Sequence, residues 1–240
     1  MVAAALLGVG VSTAPKAKAA NYFWDVNSSV AGLGGTGAWD AGVSNWFNAD
    51  TAINAVGNRV TSPATLGSAD IAYFVGTAGT ATIGSTINIG GLNFGVGGYT
   101  LSGSTLTLSP PTGSNSPVIS VTNNGSWTNR ATISSTLAGT SGFTKTGNGT
   151  LVLTADNSAG LSGDIAVKGG TLVITNANQL GSSTGTAISV TGWAARGNPG
   201  YSGGALVLQG VTGGAGSTSG INLSREVTIS GRGPGMNNDS

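Results

Sequence analysis

The chain has 240 residues, and its nine Lys and Arg against eight Asp and Glu leave a formal charge of +1; there are 43 Gly, no Cys and no His. Without Cys or His there is no disulfide framework, no thiolate or imidazole metal site, no thiol nucleophile and no Ser-His-Asp triad. A charge this close to zero supplies no electrostatic pull toward nucleic acid, so none is expected as a partner.

Residues 1–14 (MVAAALLGVGVSTA) are small and apolar, and too short to span a bilayer, which needs about 20 apolar residues. Ala17-Lys18-Ala19 follows as an A-x-A cleavage site, so residues 1–19 read as a secretory signal peptide cut after Ala19. No base precedes the apolar run, and Lys16 and Lys18 sit in the cleavage region. An exported chain without Cys or His fits an extracellular structural protein of a bacterium.

Residues 20–75 form a distinct block. Tyr22, Phe23, Trp24, Trp39, Trp46, Phe47, Tyr73 and Phe74 concentrate there, with Asp25, Asp40, Asp50 and Asp70. Beyond it the texture changes to short alternating runs of Thr, Val, Ile and Leu broken by Gly, Asn and Ser. That alternation predicts strands at 80–83, 86–94, 99–101, 105–108, 118–121, 131–137, 143–145, 150–154, 164–167, 171–175, 187–190, 205–208 and 226–229. Gly interrupts every run and Glu, Lys and Gln are scarce, so no long amphipathic helix is expected. Charge at 7% is far too low for an ordinary surface, yet the β-branched runs argue for order over disorder.

A repeat is visible. Gly149-Thr150-Leu151-Val152-Leu153 recurs as Gly170-Thr171-Leu172-Val173-Ile174 and as Gly204-Ala205-Leu206-Val207-Leu208, with Ser104-Thr105-Leu106-Thr107-Leu108 as an earlier relative. The central Leu residues 106, 151, 172 and 206 suit a coil of about 20–23 residues per turn. The last interval is lengthened by an insertion at 191–203 (TGWAARGNPGYSG). Such a coil is an all-β solenoid, a single-stranded parallel β-helix over 76–240 with the aromatic-rich block 20–75 as its N-terminal cap. Leu, Val and Ile face inward; Thr, Ser and Asn line the outer faces, where rows of like charge about 4.8 Å apart would repel. The competing architecture is an antiparallel sandwich or barrel, to which the Gly-Gly pairs would supply hairpin turns. The two part on whether Leu151 lies beside Leu172 in a parallel pair.

The segment 142–181 (GFTKTGNGTLVLTADNSAGLSGDIAVKGGTLVITNANQLG) resembles the passenger-associated repeat of autotransporter proteins. Gly142, Phe143, Thr144, Lys145, Gly147, Gly149, Thr150, Leu151 and Leu153 match that pattern, and Asn157, Gly163, Val167, Gly170, Thr171 and Leu172 continue it. The usual Asn-Thr-Tyr-Ser-Gly corner is longer here, running from Asn157 to Gly163 without the Tyr, and Leu161 stands in for the missing ring. Trp24-Asp25, Gly37-Ala38-Trp39-Asp40, Asn45-Trp46 and the 69–74 and 90–94 segments look like the N-terminal portion of large secreted proteins carrying such repeats. The resemblance implies a right-handed β-helix passenger, exported through the outer membrane by a translocating β-barrel outside this chain. The tail 231–240 closes no strand, which points to a longer protein.

Chemistry is sparse. Gly32-Leu33-Gly34-Gly35-Thr36-Gly37 matches the dinucleotide-binding spacing, but neither the strand before it nor the helix after it is predicted, so it reads as a flexible loop of the cap. After residue 76 the acids are Asp156, Asp164, Glu226 and Asp239. Asp156 and Asp164 flank one corner and read as turn residues. Lys145 and Lys168 read as solvated or edge residues. No catalytic, metal or cofactor residue is expected. The aromatic block reads as the core of the cap, with sugar stacking as its other use. Trp193, Arg196 and Tyr201 of the insertion are the candidate surface contacts, since loops that interrupt a solenoid project from it. The reading is an exported, non-catalytic passenger serving as a cell-surface stalk or adhesin, with polysaccharide or a host or neighbouring cell surface as its partner. The alternatives are a polysaccharide lyase or glycosidase on the same scaffold, or a carbohydrate-binding module.

Overall fold

The computed structural model describes residues 20–26, 32–40, 42–48, 59–62 (backbone only), 66–67, 69–111, 113–122, 129–182, 186–191, 203–210, 221, 223 and 225–230. The signal-peptide segment 1–19 lies outside them, as do Trp193, Arg196, Tyr201 and the tail 231–240.

The described chain is all-β apart from one short 3-10 turn, Ala177–Leu180. The first block holds β1 (Asn21–Trp24), β2 (Gly37–Trp39), β3 (Val43–Asn48), β4 (Arg59–Ser62) and β5 (Ile71–Phe74). There follow β6 (Thr80–Ile83), β7 (Ile87–Ile89), β8 (Gly91–Phe94), β9 (Thr100–Gly103), β10 (Leu106–Leu108), β11 (Val118–Val121), β12 (Arg130–Ile133) and β13 (Leu137–Ala138). Then come β14 (Phe143–Thr146), β15 (Thr150–Leu153), β16 (Ile165–Val167), β17 (Gly170–Ile174), β18 (Ala187–Thr191), β19 (Gly204–Leu208) and β20 (Glu226–Ser230).

From β5 to β13 the chain visits three sheets in strict rotation. β5, β8 and β11 belong to a ten-stranded sheet, β6, β9 and β12 to a seven-stranded one, and β7, β10 and β13 to a three-stranded one. Beyond β13 the first two sheets continue through β14, β16, β18 and β20 and through β15, β17 and β19. On the third side the pairing continues as a single parallel bridge between Gly139 and Leu161. Every pairing from β5 onward is parallel, so each circuit lays one strand beside the last in the same direction. Among the described strands the antiparallel pairs, β1 with β3 and β3 with β4, are confined to the first block. The same block starts the two larger sheets in parallel, through β1 on β5 and β2 on β6.

The deciding register is as the repeat demands. Leu151 pairs with Leu172, and Leu172 with Leu206, in parallel. Outer positions stack like on like: Thr80, Thr100 and Thr132 form one row, and Thr150 pairs with Thr171. Inward columns are apolar because the two-residue pleat turns alternate side chains into a space that water does not reach. One such column runs Leu92, Ile119, Lys145, Val167, Val190 and Ile229 along the ten-stranded sheet. It is buried as far as Val190, while Ile229 on the edge strand β20 is 75% exposed.

Three expectations need correction. The segment 86–94 is two strands on different sheets, β7 and β8, with the corner at Gly90. The segment 131–137 is likewise divided, into β12 and β13. Leu106 is not in the column of Leu151: it pairs with Ile87 and Leu137 on the three-stranded sheet, and the partner of Leu151 one layer earlier is Ala131. The four-residue pattern S-T-L-T marks an inward side chain but says nothing of which of three walls it leaves.

Candidate functional site

The inward column carries a charge at Lys145. Phe143 and Lys145 alternate in β14, so the pleat that buries the ring also buries the lysine, which is 0% exposed. This overturns its reading as a solvated or edge residue. Its Nζ donates to the carbonyl oxygens of Thr146 at 2.7 Å, Gly147 at 3.0 Å and Gly169 at 2.9 Å. Three acceptors match the three protons of an ammonium. Burial nevertheless penalises the charged form and pushes the pKa down to about 7. The first of those carbonyls ends β14, the second follows it and the third precedes β17, so the ammonium ties a corner to the layer above it. Lys168 is exposed, as expected.

The corner after β15 is tied by Asn157. Its Oδ1 accepts from Leu137 N at 2.7 Å, and its Nδ2 donates to Gln179 O at 2.7 Å. The side-chain amide thus stands in for a peptide group between β13 below and the 3-10 turn above. Gln179 completes the turn with a reciprocal cap around Asn176. Leu161 is buried beside this corner. Asn157→Ala leaves a buried N–H and a buried C=O without partners, at about 1–3 kcal/mol each, so a loss of about 2–4 kcal/mol is expected in denaturant melts. A loss under about 0.5 kcal/mol would show that the amide bridge carries nothing.

A second buried cation among the described residues, Arg225, carries no mark in the sequence. Its guanidinium donates from Nη1 to Leu180 O and from Nη2 to Gly163 O at 2.7 Å, joining chain segments from three successive layers. An arginine next to a glutamate in a polar run offers no sequence signal of burial.

The carboxylates are engaged in local structure. Exposed Asp156 accepts through Oδ1 from Ser158 N at 2.9 Å and Ser158 Oγ at 2.6 Å, and through Oδ2 from Asn178 Nδ2 at 2.9 Å. The Ser158 side chain, then its backbone N–H, then Asn178 hold its carboxyl below the usual carboxylate range. Asp164 accepts from Ala187 N at 2.8 Å across one layer. Glu226 lies exposed on β20, and Asp239 is outside the described residues. Among the described residues no group of three Asp or Glu is placed to hold a metal ion.

The glycine run 32–37 is not a flexible loop. Gly34 bridges in parallel to Asp25 and to Thr77, and Gly35 N donates to Thr77 O at 2.7 Å. Gly34 has φ +102°, and a Cβ there would meet Thr77 O at 2.2 Å and Tyr99 Oη at 2.4 Å, so the position requires glycine. The aromatic rings turn inward rather than lining a platform: Trp24, Trp39, Trp46, Phe74 and Phe94 are buried. Trp24 and Trp39 meet Trp46 edge-on at 5.0 Å and 4.8 Å, while Phe74 stacks on Phe94 at 5.0 Å. On the outer face Phe23 and Tyr73 stack on one another at 4.8 Å, covering each other's faces.

The candidate contact loop 191–203 joins β18, which ends at Thr191 on the ten-stranded sheet, to β19 of the same circuit on the seven-stranded sheet; its Trp193, Arg196 and Tyr201 lie outside the described residues.

Known sequences resemble part of this chain. The passenger-associated transport repeat matches residues 143–174, which run from β14 to β17 and take in Lys145 and Asn157. The chain is similar to the adhesin BmaC autotransporter of Brucella suis biovar 1 (strain 1330), with 39% identity over 150 residues. That match takes in 62% of this chain and 4% of the relative, so the chain spans a small part of its length. No solved structure matches. Over this matched repeat, whose layers pair in parallel, the chain is similar to passenger sequence of autotransporter proteins.

Proposed function

We propose that this chain is an exported, non-catalytic passenger segment that stands at the cell surface as a stalk or adhesin. Its fold is a right-handed single-stranded parallel β-helix, the hand that parallel crossovers almost always take. The block 20–75 caps its first layer: the antiparallel strands β3 and β4 cover an edge that would otherwise template further pairing, and the buried tryptophans fill the end of the interior. The observation that carries the reading is the parallel pairing of Leu151, Leu172 and Leu206 within and beyond the matched repeat. Strands laid one per circuit make a rod whose length grows with each repeat and whose interruptions project as loops.

The insertion 191–203 is the display element, with Trp193, Arg196 and Tyr201 as contact residues for polysaccharide or for a host or neighbouring cell surface. Export needs an outer-membrane translocator outside this chain. The test is deletion of 192–202 in the full-length protein in its own host. Surface exposure, read by protease shaving of intact cells, should persist while adhesion falls severalfold. Unchanged adhesion would remove the loop's role, and a passenger retained inside the cell envelope in its unaltered form would overturn export.

A further inference from the structure

The first described residue holds a contact that the strand ladder does not require. β1 and β5 pair in parallel with Asn21 opposite Ile71, which sets Ala20 against Asp70. Ala20 O accepts from Ile71 N at 3.0 Å, as the ladder asks. Ala20 N instead donates to the side chain, Asp70 Oδ1, at 2.9 Å. Both residues are buried, at 8% and 7% exposure. Asp70 is pinned on every side: Oδ2 accepts from Gly67 N at 2.6 Å, and its backbone carbonyl accepts from Gly90 and Gly91 in the next layer. A buried carboxylate is costly unless a cation meets it. Here it is aimed at the one nitrogen that the Ala17-Lys18-Ala19 cleavage sequence would free.

We propose that Ala20 is the first residue of the mature chain and that its α-ammonium docks on the Asp70 carboxylate, so that removal of the leader converts an amide–carboxylate hydrogen bond into a buried ion pair at the first layer. The proposal rests on the export reading. In the cleavage step, catalysed by a signal peptidase, one water adds across the Ala19–Ala20 peptide bond. The C–N bond breaks, Ala19 departs as a carboxylate, and the released amine of Ala20 takes up the proton as an ammonium. A single N–H donor becomes three, one of them already in place against Oδ1, and the donor as well as the acceptor of that hydrogen bond now carries charge.

The experiment has two arms. In the first, protein recovered from the surface of its host is sequenced from its N-terminus; Ala20 is the expected first residue, and any other start overturns the proposal while leaving export intact. In the second, protein released from a removable fusion tag with Ala20 first is acylated at its α-amine across a pH series. An ordinary α-amine titrates near about 8. The Asp70 pair should raise that value, and make acylation at neutral pH about tenfold slower than for a short peptide of residues 20–25. Asp70→Asn should restore the peptide rate. Where Asp70→Asn fails to fold, chemically N-acetylated Ala20 protein serves instead, and should melt lower than the free-amine form. An α-amine that reacts at the peptide rate in the unaltered protein, or an acetylated form that melts no lower, sinks the pairing whether or not the chain is exported.

Discussion

Leu172→Asp should cost more than about 4 kcal/mol, while Thr171→Asp, one residue away in the same strand, should cost under about 1 kcal/mol. Leu172 is fully buried between Leu151 and Leu206. A carboxylate there loses its hydration and finds neither cation nor donor, since the groups around it are apolar side chains and a ladder whose N–H groups are already paired. Thr171 faces outward, beside Thr150 and Ala205, and its substitute stays in water. The loss should be local at first. Layers in such an array stabilise their neighbours, so the defect in β17 should open β15 and β19 before the aromatic block. Limited proteolysis should therefore cut Leu172→Asp between about 150 and 210 while an N-terminal fragment survives, and the circular-dichroism melt should broaden or split. Leu172→Met, which keeps the volume, should cost under about 1.5 kcal/mol. Equal losses for Leu172→Asp and Thr171→Asp would contradict the inward assignment.

This contrast was readable before any coordinates, because a two-residue alternation distinguishes inside from outside and an exact recurrence of G-T-L fixes the register between layers. Both are local signals, and the physics they report is local. The same alternation held a corner that was overlooked. Ile87 and Ile89 are inward at odd positions, Leu92 and Phe94 at even ones, and the slip between them falls on Gly90-Gly91, where the chain turns onto another sheet. At 131–137 no such mark exists: Ala131, Ile133 and Leu137 are all odd and all buried, and the corner at 134–136 carries even a buried serine. The wall to which a strand belongs is set by pairing across 19 residues or more, so S-T-L-T-L at 104–108 could be matched to the wrong column. Asn157 stood out only through its likeness to a known repeat. Its bridge between Leu137 and Gln179 depends on a register that no single segment encodes. The pairing of Ala20 with Asp70 spans 50 residues and is invisible for the same reason.

Lys145 shows both sides of that lesson: alternation with Phe143 points it inward, and charge misleadingly points it out. Lys145→Glu should cost more than about 4 kcal/mol, for it turns three carbonyl acceptors onto an anion in a site closed to water. Lys145→Met should cost about 2 kcal/mol, because the carbonyls of Thr146, Gly147 and Gly169 lose their donor but the penalty of burying a charge disappears with it. The pH dependence separates these terms. In the folded protein the ammonium titrates near 7, whereas in the unfolded chain it titrates at the ordinary 10.5, so between those values the unfolded state binds more protons. Stability contributed through Lys145 is therefore flat below about pH 7 and rises with pH through the window above it. Tyr99 acts in the opposite sense: burial pushes its hydroxyl up to about 12, and the unfolded chain loses that proton from about 10 upward. The comparison thus belongs between about pH 7 and 9.5, as the difference between the unaltered protein and Lys145→Met. The unaltered protein should gain on the variant as pH rises across that range, in melts followed by circular dichroism. A difference that stays constant would mean that the three carbonyls hold the ammonium charged throughout, and that the corner is fastened by a permanent cation rather than by an amine poised to lose its proton.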